Sequence, residues 1–360
     1  MSLLNLVIFL ILLSLLILVH ELGHFILAKR AGVKVEEFAI GFPPRLFSIQ
    51  RGETSYSINA IPLGGYVKML GEEDPTYPRS FASASRKWRV AILAAGATMN
   101  IVFAVFLFGG AYASGWPEVT KSEVTVAQVM PDSPASSAGL KEGDVIVAFD
   151  GHPVTTPEQL PGLSQESLGR PTTIEIRRGG QQRIITLTPR TSWPEGEGPI
   201  GIAIAEHALK IEPVYYPLPT ALLNGARETL QTVVMTLTLP VLLLKGLIPA
   251  SMARPIGPLG IYHLTTQATT ETVATGWWFP LLSVAGTVSA GLGLANLLPI
   301  PGLDGGRLLF VVIEAIRGRR VNPRREGQIH LVGLALLMSL VIIVTYFDIL
   351  FPINVQFGPH

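Results

Sequence analysis

The sequence predicts a polytopic α-helical membrane protein with about four transmembrane helices and one β-rich polar insertion, and three observations carry that prediction. Hydrophobic residues make up 48% of the 360 positions and charged residues only 15%, with a mean hydropathy of +0.44. That balance is more apolar than soluble globular chains show. Four apolar runs are each long enough to cross a hydrocarbon core of about 30 Å. Residues 115–212, in contrast, are polar, turn-rich and alternating. A net charge of +1 argues against a nucleic-acid binder, which carries a clear basic excess. Cysteine is absent, so disulfides and thiolate ligands are excluded.

The first apolar run, about Leu3 to Ala28, has neither a basic leader nor a small-residue cleavage site and is expected to be a retained transmembrane helix. Lys29 and Arg30 follow it and would snorkel to an aqueous face. Residues 29–89 hold ten basic and six acidic side chains, which makes this connection cytoplasmic by the positive-inside rule. A hairpin is expected at about 33–70, because Leu46-Phe47-Ser48-Ile49 and Tyr56-Ser57-Ile58-Asn59-Ala60 alternate around Arg51-Gly52-Glu53. It reads either as a small cytoplasmic sheet or as a membrane-associated β-hairpin whose edge accepts an extended chain. The second helix, about Val90 to Ser114, follows the basic cluster Arg86-Lys87-Trp88-Arg89. Its Ala94, Ala95, Gly96 and Ala97 predict close helix packing, and its Asn100 an interhelical hydrogen bond. These segments form the first division, residues 1–114.

Residues 115–212 carry eight basic and thirteen acidic side chains, the balance of an extracytoplasmic segment. Strands are predicted at Val124–Val129, Val145–Phe149, Thr172–Arg177 and Arg183–Leu187. The run Ser133 to Leu140, then Gly143-Asp144-Val145-Ile146, then Asp150-Gly151 gives a short helix, a strand entry and a turn. That order resembles bacterial PDZ domains; a plain spacer sandwich is the other reading. The resemblance implies a groove that binds an extended peptide by strand addition. In the circularly permuted variety it implies a peptide loop at Ile200, Gly201 and Ile202. Residues 213–276 are expected to form an interfacial amphipathic helix and a linker. Asn224, Arg227, Glu228, Gln231, Pro240 and Lys245 make 216–248 a poor span. The last division, 277–360, opens on an aromatic belt, Trp277-Trp278, and holds a third helix, about Phe279 to Leu298. A connection with six arginines and three acids at 303–330, again cytoplasmic in character, leads to a fourth helix, about His330 to Phe347.

The chemistry is concentrated in Val19-His20-Glu21-Leu22-Gly23-His24-Phe25, inside the first apolar run. Histidines four apart on a helix share one face and can share a metal ion. Glu21 is then placed to act on a metal-bound water. Ionisable groups at membrane depth are costly and mark function. With cysteine excluded, a third ligand must be His, Asp or Glu, and Asp304 at the cytoplasmic end of the third helix is the best candidate. Asp304-Gly305-Gly306 also reads as ordinary turn chemistry. The ligand reading constrains topology, since Asp304 can meet His20 only if residues 216–248 cross the membrane an even number of times, zero being simplest.

The H-E-L-G-H helix, the stretch Asn296-Leu297-Leu298-Pro299-Ile300-Pro301-Gly302-Leu303-Asp304-Gly305-Gly306 and the PDZ-like insertion together resemble the site-2 protease family of intramembrane zinc metalloproteases. The closest likeness is to its bacterial RseP-like branch. The resemblance implies Zn2+ held by His20, His24 and Asp304, with Glu21 as catalytic base. It assigns Asn296, with the flanking Pro299 and Pro301, to substrate binding, and it makes the hairpin a re-entrant sheet that presents the substrate. The implied substrates are transmembrane segments of membrane proteins, such as anti-sigma factors or remnant signal peptides, cleaved in regulated intramembrane proteolysis. The implied location is the cell (inner) membrane, with the PDZ domain outside and the active site toward the cytoplasmic half. One departure is visible: the branch's best-known members carry two tandem PDZ domains and this chain shows one. Two other readings stand beside this one, a non-catalytic PDZ scaffold and a metal transporter. An intact Glu21 counts against the first, and a lone metal cluster without inverted repeats against the second.

Overall fold

The computed structural model describes residues 3–72, 74–249, 254–355 and 357. The chain folds as two compact units, one running from Pro117 to Val214 and the other built from the chain on either side of it.

The flanking unit opens with α1 (Leu3–Arg30), the strands β1 (Val35–Arg51) and β2 (Thr54–Met69), and α2 (Arg86–Ala113). The hairpin is longer than its alternation suggested. Glu37 to Ile40 of β1 lie between two runs of β2, Ser55–Ile58 on one side and Gly65–Lys68 on the other. Its turn is pinned to the end of α1, where Glu53 bonds Lys29 at 2.8 Å and Arg79 at 2.8 and 2.9 Å. Those bonds from Arg79 and Lys29 hold the Glu53 carboxyl at about 2. The outer run of β2 follows α1: Ser14 Oγ donates to the Pro62 carbonyl at 2.5 Å, and Val67 N–H donates to Glu21 Oε2 at 3.0 Å.

The intervening unit is a six-stranded sheet formed by β3 (Trp116–Val129), β4 (Val145–Phe149), β5 (His152–Pro153), β6 (Thr172–Arg178), β7 (Gln181–Leu187) and β8 (Ile202–Val214), with short helices α3 (Pro134–Ser137) and α4 (Gln159–Glu166). The strand order is β7-β6-β4-β3-β8, with β5 added to β4. Alternation along β6 sends Thr172, Ile174 and Ile176 inward. There they join Val124, Val126, Ile146, Phe149, Leu160 and Ile200 in one core. Asp144, 1% exposed, is held by Arg178 at 2.6 Å and by the Lys141 amide at 2.8 Å. Burial raises its pKa, but these partners outweigh burial and leave the carboxyl below its ordinary value.

The chain returns as α5 (Leu218–Leu244), α6 (Pro258–Thr275), α7 (Phe279–Leu297), α8 (Asp304–Arg317) and α9 (Pro323–Leu350). Helices α1, α2, α7 and α9 are long and apolar enough to cross a membrane. Central among them is α2, because its small residues admit neighbours on several sides. Gly23 of α1 lies against the Ala95 carbonyl, Gly225 of α5 against Gly109, and Gly293 of α7 against the Ala97 carbonyl. Asn100 is 1% exposed. The interhelical bond there runs from Ser289 Oγ to its backbone carbonyl, at 2.8 Å, rather than to its side chain.

Trp277 at the start of α7 donates its indole N–H to the Gly115 carbonyl at 2.6 Å, so α7 begins at the end of the bundle where α2 stops. Helix α5 starts at that end too, with Tyr216 N–H on the Tyr112 carbonyl, and runs unbroken through Pro240. Three helices differ from the sequence reading. The stretch expected as a linker before Trp277 holds α6, an 18-residue helix. Residues 303–330 hold α8, which is only 14 residues long and escapes a search for spans. Helix α9 begins at Pro323 rather than near His330, because the Asn322 side chain caps it through the Arg324 amide, at 2.9 Å, and proline suits the first helical turn.

Candidate metal centre

The i, i+4 spacing puts His20 and His24 on one face of α1, both more than nine-tenths buried. Opposite them runs α2, whose Gly96 leaves the space the imidazoles occupy. A Cβ at Gly96 would lie 2.5 Å from His24 Nε2 and 2.6 Å from His20 Nε2. Asp304, the first residue of α8, enters from a third direction. Gly305 and Gly306 behind it press against the carbonyls of Leu298 and Ile300, with no room for side chains. The Asp-Gly-Gly triplet is thus a packing requirement that sets the helix start against its own loop.

Asp304 Oδ2 is 3.0 Å from both His20 Nε2 and His24 Nε2, and the two nitrogens are 3.1 Å apart. These spacings are close to the ~3.3 Å edge of a tetrahedron with bonds of about 2 Å, the size a zinc ion sets. His24 Nδ1 donates to the Ile92 carbonyl at 2.7 Å. A carbonyl only accepts, so Nδ1 carries the proton and the Nε2 lone pair is left facing the cluster. Among the described residues, the buried His20 Nδ1 has no hydrogen-bond partner. Two ring nitrogens and a carboxylate oxygen converging this closely are a donor set that a shared cation suits. His20, His24 and Asp304 are the group of His, Asp and Glu side chains among the described residues whose atoms converge closely enough to hold one. Two nitrogens and a carboxylate oxygen suit zinc, and three protein ligands leave the open position that a hydrolytic metal uses.

The remaining residues of interest are distributed around this point. Glu21 follows His20, with its carboxylate on the Val67 amide of β2. Asn296 is half-buried and its Nδ2 donates one turn back, to the Leu292 carbonyl at 3.0 Å. Pro299 is exposed, while Pro301 is half-buried against Gly333 of α9. The next amide, Gly302 N–H, donates to His330 Nδ1 at 2.9 Å. In the other unit, Ile200 is a core residue whose carbonyl accepts from Ala135, and the Gly201 carbonyl accepts from Met130, each at 3.0 Å. Ile202 packs on the same core. Sequence reasoning missed Gly96, the Ile92 carbonyl and the Val67 amide as parts of the site. The signal for Gly96 was present in Ala94-Ala95-Gly96-Ala97, but it was read only as helix packing. The other two are backbone atoms, which no residue pattern marks.

The model of peptidase family M50 matches residues 8–340. The chain is similar to a Clostridium acetobutylicum protein that bears a zinc metalloprotease name, at 37% identity over 98% of this chain and 100% of that protein. It is 31% identical to the zinc metalloprotease RasP of Oceanobacillus iheyensis over 95% of this chain and 97% of the relative. It is 29% identical to the regulator of sigma-W protease RasP of Bacillus subtilis, with the same coverage of 95% and 97%. A match across nearly the whole chain to the M50 peptidases, together with spanning helices, makes this an integral membrane metalloprotease with a zinc cofactor, a member of the site-2 protease family.

Proposed function

We propose that this metalloprotease is an endopeptidase that hydrolyses peptide bonds within the transmembrane segments of membrane proteins, and that it belongs to the RseP-like branch with a single PDZ domain. The observation that carries the reading is the meeting of His20, His24 and Asp304 inside a bundle of spanning helices, with Glu21 beside them. In this reading the two histidines and Asp304 hold the zinc ion. Bound zinc supplies Lewis acidity to the attacking water and the scissile carbonyl. Glu21 takes the proton from that water and returns it to the leaving amine. The Ile92 carbonyl fixes the His24 tautomer, and the Val67 amide holds the Glu21 carboxylate in place.

A helical substrate shields its carbonyls behind its own hydrogen bonds, so the cleaved stretch must become extended. The run Gly65–Lys68 pairs with β1 on one side and turns its other edge toward Glu21, which supports strand addition beside the base. Ser14 lies sixteen residues before the end of α1, about 24 Å along the helix axis. Contact between Ser14 and Pro62 therefore supports a hairpin that re-enters the bilayer. The exposed Phe42, Leu46, Phe47, Ile49 and Ile61 on the hairpin favour the same placement. Ile300 and Pro301 line an apolar groove of about 690 Å³ with Ile329, Val332 and Leu336 of α9, which suits an apolar segment. Asn296 would exchange its bond to Leu292 for the substrate backbone. The order of strands and short helices in the intervening unit supports a PDZ domain, whose loop at Ile200, Gly201 and Ile202 would take a peptide end. The basic balance of 29–89 and 303–330 and the acidic balance of 115–212 support an inner-membrane orientation with the PDZ domain outside and the site toward the cytoplasmic half. The sigma-W name of the Bacillus relative favours anti-sigma factors as a substrate class, with remnant signal peptides as the second class.

Two variants test the assignment on tagged single-span substrates in proteoliposomes. Glu21→Gln should abolish cleavage and keep zinc, whereas Asp304→Ala should lose both. Continued cleavage by the first variant would remove Glu21 as the base. Full zinc content in the second would place the third ligand elsewhere.

A further inference from the structure

Helix α8 is inside-out by the standard of a helix in water. The side turned to the protein carries the charges. Glu314 is 7% exposed and meets Arg89 at 2.7 and 2.8 Å, Arg86 at 3.3 Å and Arg320 at 3.6 Å. Arg307 meets Glu72 at 2.8 Å. The side turned away carries Leu309, Val312 and Ile316, exposed by 39%, 44% and 81%. Spacings of three and four residues put these side chains in one stripe. In water the stripe would be covered and the ion pairs turned outward. The observed arrangement is favoured where the surroundings are hydrocarbon.

Its depth follows from its neighbours. Asp304 lies with the histidines against Gly96, and ten residues later Glu314 meets Arg86, ten residues before Gly96 on α2. Ten residues of helix rise about 15 Å, half of a hydrocarbon core of roughly 30 Å. Thus α8 covers one leaflet, from the level of the candidate ligands to the basic end of the bundle. At that end, Gly318 in the left-handed conformation (φ 70°) closes the helix. Arg317 and Arg319 flank it in the chain, and Arg324 and Arg325 follow in the first turn of α9. All four are exposed, and none is in an ion pair among the described residues.

We propose that α8 is a lipid-embedded helix of that leaflet and that Arg317, Arg319, Arg324 and Arg325 form a binding surface for the headgroups of anionic phospholipids. A guanidinium recognises a phosphate through charge and paired N–H groups, and clustered basic residues at a membrane surface select anionic lipid. Because α8 begins at Asp304, the lipid contact at its far end fixes the depth of that carboxylate. The inference rests on the spanning helices and on the contacts of α8, not on the choice of substrate.

The test uses the full chain in nanodiscs of phosphatidylcholine, with or without phosphatidylglycerol. An Ile316→Cys variant carries the chain's single thiol, and an environment-sensitive fluorophore placed there should be quenched by acyl-chain spin labels and shielded from aqueous iodide. The same probe at Gln181→Cys, at the exposed start of β7, should behave in the opposite way. Iodide quenching at 316 without acyl quenching would overturn the embedding. For the headgroups, the wild type should retain phosphatidylglycerol at least about five-fold over phosphatidylcholine. Arg317→Gln/Arg319→Gln/Arg324→Gln/Arg325→Gln should lose that preference while keeping its zinc content. Equal lipid retention by the two proteins would overturn the headgroup assignment. As a check that needs no variant, the wild type's thermal midpoint should rise with phosphatidylglycerol, and an unchanged midpoint would also count against it.

Discussion

Gly96→Ala is the most informative single substitution in the protein, because it adds one methyl group where the candidate ligands meet. The new carbon would lie 2.5 Å from His24 Nε2, 2.6 Å from His20 Nε2 and 2.7 Å from His20 Cε1. Ordinary contact between carbon and nitrogen is roughly 3.5 Å, so something must move by about 1 Å. Helix α2 cannot simply retreat, because its Ala97 carbonyl is already packed on Gly293 of α7. The imidazoles must therefore turn, which breaks the His24–Ile92 bond or spreads the ligand atoms. A zinc site tolerates roughly 0.2 Å of ligand displacement, and loss of an orienting partner alone weakens binding about 10- to 100-fold. Zinc affinity should fall by at least about 100-fold, and peptidase activity should fall with it. Stability should change far less, since overpacking costs about 1–3 kcal/mol and alanine regains about 1 kcal/mol over glycine within a helix. The assay is zinc stoichiometry and chelator competition on the purified protein, with thermal unfolding alongside. Gly110→Ala is the control, because its methyl meets only the flexible end of Leu282, at 3.3 Å. Zinc affinity and activity equal to wild type in Gly96→Ala would refute the placement of the metal at these three residues.

Two further outcomes follow from buried charge. In the intervening unit, the Asp144 carboxyl is held below its unfolded value by Arg178 and the Lys141 amide despite burial. Its contribution to stability is complete above the unfolded pKa of about 4 and is lost as pH falls through the folded value. The far-ultraviolet thermal midpoint of that unit should drop below pH 4, and Asp144→Asn should remove this part of the acid dependence while lowering stability by about 3 kcal/mol at neutral pH. In the membrane unit, Arg89→Met leaves Glu314 without its closest partner and should cost about 3–5 kcal/mol, whereas Arg89→Met/Glu314→Leu should recover most of that loss. Thermal unfolding in detergent separates the two, and a double variant as unstable as the single one would mean that the pair is not the source.

The sequence alone determined the parts of this protein that local chemistry and periodicity set. Four apolar runs announced the four helices that, among the described residues, are long and apolar enough to span, since hydrocarbon admits few other backbones, and the H-E-x-x-H spacing put two imidazoles on one helical face before any contact was known. The family was legible for the same reason: its motifs are short, contiguous and chemically unusual at membrane depth. The tertiary structure decided what depends on which backbones touch. The Asp304 stretch by itself did not place that carboxylate; the packing of Gly305 and Gly306 sets its helix start beside the histidines. Gly96 looked like any small residue in a helix seam, and only the crossing of α1 and α2 made it the wall of the candidate metal centre. The Ile92 carbonyl and the Val67 amide carry no side-chain signature, so no pattern of residues could have named them. Helix α8 was hidden by its length and by its arginines, and its inverted polarity became visible only when its two faces could be assigned to protein and to surroundings.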